Sequence, residues 1–125
     1  MKENMIHCLK VEPGKIPEEC TLENSLSALQ EAVGGLIELL DMEDLGNSVY
    51  VTMLCNEEGK LLGLPLNRAL RDENNHVYDV VAGTFLVAGL GAEDFCSLNE
   101  KQIEKYSEHF KTPELFLRLN GRMLV

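Results

Sequence analysis

The sequence predicts an α+β domain: a mostly antiparallel sheet with two main helices packed against it and a short C-terminal helix. Three observations predict this class. Apolar runs rich in β-branched residues recur between clusters of turn residues, and several are joined by links short enough for antiparallel hairpins. One segment repeats apolar residues at helical spacing, and another begins with a helix-capping pattern. The length of 125 residues suits one domain, 1–125.

The first elements are a strand and a helix. Met5 to Val11 is an apolar run that the prolines and glycine of 12–17 end in a loop. A helix is predicted over Thr21 to Val33, where Leu22, Leu26, Leu29 and Val33 recur at intervals of three and four. Gly34-Gly35 is expected to end this helix as its C-cap.

Two further strands are predicted next, over Leu36 to Met42 and Ser48 to Cys55, with a turn at 43–47 between them. Asn56-Glu57-Glu58-Gly59 then predicts a hairpin whose second strand begins at Lys60.

The middle of the chain holds a second turn and the strongest strand signal. Because Pro65 cannot donate to a sheet ladder, the segment 63–71 is predicted as a loop or a single helical turn with Asn67 and Arg68 near its tip. Asp72 to Asn75 is predicted as a turn. The nearly continuous apolar run 76–88 predicts one buried strand, with Gly83 as a bulge or a point of close backbone approach.

The last third follows a turn at 89–94. Ser97, with Glu100 three residues on, predicts a capping box and a helix to about Lys111. Thr112-Pro113 predicts the start of the short C-terminal helix, and a hairpin about Asn120-Gly121 is the alternative. The residues that the Ser97 helix offers to the core are Leu98, Ile103, Tyr106 and Phe110.

The charge is strongly acidic. Eleven Lys and Arg residues against 21 Asp and Glu residues give a formal net charge of −10. Such a surface repels phosphate backbones, so direct nucleic-acid binding is not expected. It suits a basic protein partner or a groove that normally binds nucleic acid, although the plainest interpretation of the charge is solubility.

The cysteines and the chain start bear on compartment and cofactors. Cys8, Cys20, Cys55 and Cys96 are far apart and form no C-x-x-C pair, so they are interpreted as reduced thiols that pack as small hydrophobes. No secretory signal and no membrane-spanning stretch is recognised, which predicts a cytoplasmic protein. No metal and no cofactor are expected, because the ligands of a zinc site would have to come from distant elements.

Catalysis is not expected either. No Ser, Cys or acidic residue lies at a recognised spacing from His7, His76 or His109. Cys55 with a distant histidine is a conceivable nucleophile and base, but cysteines within strands are usually buried and inert. We therefore expect a protein that is not an enzyme.

A polar set around the middle of the chain is the candidate ligand-binding surface. Two arginines three residues apart offer planar donors for a carboxylate or phosphate. The structural alternative is that Asn67 caps a turn and that Arg68 or Arg71 pairs with Asp72 or Asp79. The candidate ligand-binding residues are Asn67, Arg68, Arg71, Asp79, Gly83 and Thr84.

Several blocks of the sequence resemble a known family. KVEPGKIPE, LQEAVGGLIEL, NEEGKLLGLPLNRALRDE and YDVVAGTFLVAG are similar, in order, to the family called domain of unknown function 3846. The resemblance covers nearly the whole chain, and the NRAL and AGTF blocks are its most specific parts. It implies a small α+β domain of Gram-positive bacteria, their phages and mobile elements, and it brings no established activity. Cys20 and the HVYD turn depart from the family pattern.

Two functions are therefore predicted. The first is a non-enzymatic protein-interaction module, for instance one that blocks a host defence, with an unidentified and plausibly basic partner. The second is a domain that binds a small, nucleotide-like anion through the loop at Asn67 and Arg68. Membrane binding is not expected, and a homo-oligomer is left open.

Overall fold

The structure is a computed structural model that describes residues 4–119 and 122–124. The described residues form one large sheet, two small sheets and two short helices. In chain order these elements are β1 (Met5–Val11), β2 (Glu18–Glu23), α1 (Leu26–Val33), β3 (Ile37–Gly46), β4 (Val49–Asn56), β5 (Leu66–Arg71), β6 (Val77–Ala82), β7 (Phe85–Leu90), β8 (Phe95–Cys96), α2 (Glu100–His109), β9 (Leu117–Leu119) and β10 (Arg122–Leu124).

The main sheet is antiparallel and has the strand order β2-β1-β7-β4-β3, with β8 also paired to β7. Because successive side chains of a strand point to opposite faces, the apolar strands β1, β4 and β7 build two cores. One core lies under α1, where Leu29 and Val33 pack near Leu54 and Leu86. The α+β class and the mostly antiparallel sheet with two helices are therefore as predicted.

The second core lies on the opposite face, under α2 and the β5–β6 hairpin. Met53 and Val87 of the main sheet, Val81 of β6 and Ile103 of α2 belong to it. The core residues predicted for the second helix are confirmed, since Leu98, Ile103, Tyr106 and Phe110 are all buried. The β5–β6 pair is thus a lid of two strands over one face of the main sheet.

The first helix is shorter than predicted. Residues 21–23 belong to β2, an edge strand that pairs with β1 and places Leu22 opposite Ile6. α1 begins after Ser25, whose side chain accepts a hydrogen bond from the amide of Ala28 at 3.2 Å. The helical spacing of Leu22 and Leu26 is therefore coincidental, whereas the predicted cap at Gly34, with φ of 82°, is confirmed.

Two predictions for residues 57–71 are wrong. Residues 57–63 form successive turns instead of the second strand of a hairpin. Asn67 and Arg68, predicted at a loop tip, lie in the strand β5. Pro65 does not prevent this, because it stands just before the strand, where its carbonyl accepts a hydrogen bond from Gly83 at 2.7 Å.

The apolar run 76–88 is two strands instead of one. Gly83, with φ of 85°, breaks the run between β6 and β7, which belong to different sheets. Such a φ is readily adopted only by glycine. The predicted turn 72–75 is confirmed. The turn predicted at 43–47 is present but lies later, at 47–48, because β3 continues to Gly46 with two irregularities in its pairing to β4.

The end of the chain also differs from the prediction. The N-cap of α2 is Asn99 and its capping box partner is Gln102, so the box predicted for Ser97 and Glu100 is two residues early. The short C-terminal helix is absent from the described residues, where β9 and β10 form an antiparallel hairpin. The turn predicted at 120–121 lies outside the described residues.

Within the described ranges, neither helix is long and apolar enough to span a membrane.

Candidate functional site

Asn67 is a buried link between three parts of the fold. Its side-chain amide nitrogen donates to the carbonyl of Val11 at 2.9 Å and to the carbonyl of Gly83 at 2.8 Å. Its side-chain oxygen accepts from Arg68 at 2.8 Å. The side chain thus joins the end of β1, the link between β6 and β7, and its own strand, and it does not cap a turn.

Arg68 is only 1% exposed and uses all three nitrogen atoms of its guanidinium group. Nη2 donates to the carbonyls of Lys15 and Phe110 at 2.7 and 2.8 Å, and Nε also donates to Phe110, at 3.3 Å. Phe110 is the C-cap of α2, where the helix dipole favours a cation. Burial lowers the pKa of Arg68, although the nearby Glu114 counteracts this.

Gly83 and Thr84 lie beside this pair. A Cβ atom on Gly83 would lie 2.8 Å from the side chain of Leu64, so the residue allows close packing as well as the positive φ. Thr84 is half-buried at the start of β7. Asn67, Arg68 and Gly83 are therefore brought together, but inside the fold.

The exposed members of the predicted set find other partners. Arg71 contacts Glu114 at 3.3 Å, and Asp79 pairs with Lys60. The pairings predicted for Arg71 with Asp72 or Asp79 are therefore wrong, and Asp72 instead closes its own turn by accepting from the amides of Asn74 and His76, both at 2.9 Å. Burial alone would raise the pKa of Asp79, but the hydrogen bonds from Lys60 and the Val80 amide lower it overall.

Exposed apolar side chains occur in the turn 57–63 and in the adjoining strand β6. Leu61 is 87% exposed and Tyr78 is 68% exposed. A cleft of about 660 Å³ joins the turn and β6, and the Lys60–Asp79 ion pair links the same two segments. We call this surface the hairpin face and define it by Leu61, Leu62, Pro65, Val77 and Tyr78.

One backbone amide on each strand of the lid is hydrogen-bonded to a carboxylate. Ala69 and Val80 are opposite each other in the β5–β6 ladder. The amide of Ala69 donates to Glu114 at 3.1 Å, and the amide of Val80 donates to Asp79 at 2.8 Å. These two amides are therefore not available to an added strand.

A second concave region, which we call the α2 cleft, lies between β3, the lid and α2. Its volume is about 600 Å³, with an apolar floor and a polar rim. Leu40, Met42, Met53, Leu70 and Phe110 form the floor, and Asp41, Arg71, Asp72, Lys105, His109 and Glu114 are on the rim. Tyr78 also lines this cleft and is shared with the hairpin face.

The polar groups at the α2 cleft are largely paired with one another. Tyr106 donates to Glu43 at 2.6 Å and Lys105 donates to the same oxygen at 2.9 Å, and these contacts lower the pKa of Glu43. Burial, together with the positive charge of Lys105, lowers the pKa of His109. The cleft therefore presents both signs of charge.

The thiol of Cys55 is buried, and burial raises its pKa to about 11, which disfavours the thiolate near neutral pH. In the described part of the chain, no three His, Cys, Asp or Glu side chains are grouped closely enough to hold a metal ion.

Neither the hairpin face nor the α2 cleft was predicted from the sequence. Leu61-Leu62 was placed in a strand, and Val77 and Tyr78 were placed in a buried run, so their exposure was not foreseen. The sequence signal that was available is Gly59 before Leu61 and Pro65 after it, which together mark a compact turn.

The fold and its surfaces define a small antiparallel α+β domain with a two-stranded lid. The family model described as "Domain of unknown function (DUF3846)" matches residues 6–111, and the chain belongs to this family, as the resemblance predicted. No curated protein and no solved structure matches the chain.

Proposed function

We propose that the protein is a non-enzymatic, cytoplasmic interaction module that binds a basic protein partner through the hairpin face. The observation that carries this proposal is the exposure of Leu61 and Tyr78 on adjoining segments. Adjacent exposed apolar side chains are a feature of binding surfaces, and tyrosine is among the residues that contribute most to protein interfaces.

The charges around the hairpin face indicate the chemistry of the partner. Glu57 and Glu58 are exposed in the same turn as Leu61, and Glu38 lines an adjoining cleft with Leu61. An apolar centre with an acidic rim is complementary to an apolar anchor flanked by Lys or Arg. A host-defence protein with a nucleic-acid-binding surface is one class of partner with this chemistry.

The first test compares the wild-type protein with the double variant Leu61→Ser/Tyr78→Ser. Each immobilised protein is exposed to a bacterial lysate at low and at high salt, and the bound proteins are identified. We expect a basic protein that the wild type retains at low salt, that salt releases, and that the double variant loses. The partner is then purified and titrated, and its affinity should fall by at least about tenfold in the variant, as for two interface hot spots.

Leu26→Ser is the matched control, because Leu26 is equally apolar and exposed but lies on α1, across the main sheet. This variant should keep the partner, and all variants should keep the thermal midpoint of the wild type. Equal capture by the wild type and the double variant would contradict the proposal. A wild-type dimer that the double variant loses would show instead that a second copy of the chain occupies the face.

The α2 cleft favours a second candidate function, the binding of a small nucleotide-like anion. The observation that favours it is a cleft of about 600 Å³ with an apolar floor and with Arg71 and Lys105 on its rim. Arg71 takes the role that the sequence analysis gave to Arg68, which is buried. The carboxylates on the same rim oppose an anion, so this function ranks second.

A thermal-shift screen with nucleotides, cyclic dinucleotides and simple anions tests the second candidate. A stabilisation that disappears in Arg71→Gln would support it, because a ligand that binds only the folded state raises the midpoint. Glu58→Gln changes a charge outside the cleft and should leave the shift unchanged. No shift with any compound would remove this candidate.

A further inference from the structure

Two cysteine thiols from neighbouring strands meet on the α1 side of the main sheet. Cys8 of β1 and Cys20 of β2 are opposite each other in the ladder, and their sulfur atoms are 3.4 Å apart. Directly opposed residues of antiparallel strands have Cα atoms about 4.5–5.5 Å apart, which lies within the range that a disulfide spans. The backbone therefore already holds the two cysteines at bridging distance.

The two thiols differ in access and in acidity. Cys8 is fully buried, whereas Cys20 is half-buried at the edge of the sheet. The hydrogen bond from Cys8 lowers the pKa of Cys20 to about 7, and Lys10 and His7 act in the same direction. The same contact and its burial raise the pKa of Cys8. Cys20 is thus the thiol that an oxidant reaches first and that ionises first.

We propose that Cys8 and Cys20 form a reversible dithiol–disulfide pair that is oxidised by hydrogen peroxide. The Cys20 thiolate attacks one peroxide oxygen, which breaks the O–O bond, gives the sulfenic acid and releases hydroxide that leaves as water. The Cys8 sulfur then attacks the Cys20 sulfur, the S–O bond breaks, the Cys8 proton is lost, and a second water leaves. In total, two thiols are oxidised to one disulfide while one peroxide is reduced to two waters.

The bond would attach an edge strand covalently to the sheet. β2 is held to the sheet by its ladder with β1 alone among the described strands. The disulfide would also close the loop that carries Lys15, whose carbonyl binds Arg68. Oxidation is therefore expected to raise the thermal midpoint by about 10 °C, as a short closed loop does in a domain of this size.

The test treats the reduced full-length protein with hydrogen peroxide, blocks the remaining thiols with an alkylating agent and measures the intact mass. We expect the mass of the protein itself to fall by two hydrogen atoms. We also expect the oxidised protein to take up two alkyl groups fewer than the reduced protein. Lys10 and Lys15 lie between the two cysteines, so trypsin separates them unless they are bridged. Trypsin alone leaves Cys20 and Cys55 on one peptide, 16–60, so a second protease that cuts after glutamate is added, and Glu23, Glu31 and Glu38 provide cleavage sites between them. The cross-linked peptide from this double digest and its release by dithiothreitol identify the bond.

Cys20→Ala removes the reacting thiol and should abolish both the mass loss and the rise in midpoint. Cys55→Ala is the matched control, since Cys55 is a buried thiol with no cysteine partner at contact distance and should not affect the reaction. Addition of oxygen without loss of hydrogen would overturn the proposal. A bridge that maps to Cys55 or Cys96, a bridge between two chains, or no reaction would overturn it equally.

Discussion

Arg68 places a full positive charge inside the protein with carbonyl oxygens as its principal partners. A buried charge is costly unless every donor is satisfied. Here the C-terminal end of α2 supplies a negative dipole end, and Lys15 and Asn67 supply the remaining acceptors. One side chain therefore fastens β5, α2 and the loop after β1 to one another.

Arg68→Ala should lower the free energy of unfolding by about 3–5 kcal/mol, because it leaves several buried carbonyls without a donor. Arg68→Lys keeps the charge, but a single ammonium cannot reach three segments, so we expect an intermediate loss. Urea unfolding followed by circular dichroism measures both.

Arg71→Ala is the control for this comparison. Arg71 lies three residues away, and its pairing with Glu114 is partly exposed, so its removal should cost within about 1 kcal/mol. Equal losses for the Arg68 and Arg71 variants would show that Arg68 does not hold the segments together.

At the scale of elements, the lid depends on a close approach between the turn 57–63 and β6. A Cβ atom on Gly59 would lie 2.5 Å from the backbone oxygen of Ala82. Backbone cannot move aside as a flexible side chain can, so only glycine permits this contact. The approach fixes the position of the turn that carries Leu61, and hence the shape of the hairpin face.

Gly59→Ala should therefore cost about 1–3 kcal/mol by forcing the turn away from β6. Hydrogen exchange of the Val80–Ala82 amides should become faster. Gly63→Ala lies in the same turn with φ of 68° and open space around the added carbon, so it should cost about 1 kcal/mol of backbone strain and leave exchange in β6 unchanged. Identical exchange in the two variants would contradict the role of Gly59.

Elements whose conformation is set by neighbouring residues in the sequence were predicted correctly. β1 was predicted with its observed bounds, and the turn at 72–75, the cap at Gly34 and the core face of α2 were predicted correctly. In each case the deciding residues are neighbours in sequence, such as a glycine after a helical repeat.

The errors arose where tertiary contacts decide. The run 76–88 is nearly all apolar, and Val81 of β6 and Phe85 and Val87 of β7 enter the same core from two sheets, so the pattern does not reveal the change of sheet at Gly83. The carbonyls of Phe110 and Lys15 that accept from Arg68 are 42 and 53 residues away, so the sequence around Arg68 does not indicate its burial. Asn67 and Arg68, which the sequence analysis placed at the tip of a loop, are therefore buried in the strand β5.

At the scale of the whole molecule, mild acid should weaken the fold slightly through His109, whose side chain is still exposed at the rim of the α2 cleft. Partial burial lowers its pKa, so the folded protein takes up the proton less readily than the unfolded chain, whose histidine pKa is about 6.5. The free energy of unfolding should therefore be highest above about pH 6.5, where His109 is neutral in both states. It should decrease as the pH falls toward the lower pKa of the folded protein. Urea midpoints at about pH 7.5 and about pH 5.5 measure this loss.

His109→Phe keeps a ring in contact with Phe110 and removes the titration. Its midpoint should change less between the two pH values than that of the wild type. Glu12 and Glu43, whose pKa values are lowered by their lysine partners and, for Glu43, by Tyr106, would lose their contribution only at lower pH. The same fall in wild type and variant would assign the effect to other groups.

The acidic charge also protects the long edges of the main sheet. β3, at one edge, carries Glu38, Asp41, Glu43 and Asp44, and β2, at the other, carries Glu18, Glu19 and Glu23. Charged edges repel a second copy of the same sheet. Part of the net charge of −10 therefore lies where it opposes edge-to-edge pairing of two sheets.

Asn67 and Arg68 hold the lid in place from its buried side, so the side chains on its outer surface are not needed for that purpose. The buried side chains of β5 make the anchoring bonds, whereas Leu61, Leu62 and Tyr78 face outward. Substitutions at these outer positions should therefore leave the fold intact. Under the proposed function, members of the family with different partners should differ most at these outer positions and keep Asn67 and Arg68 beneath them.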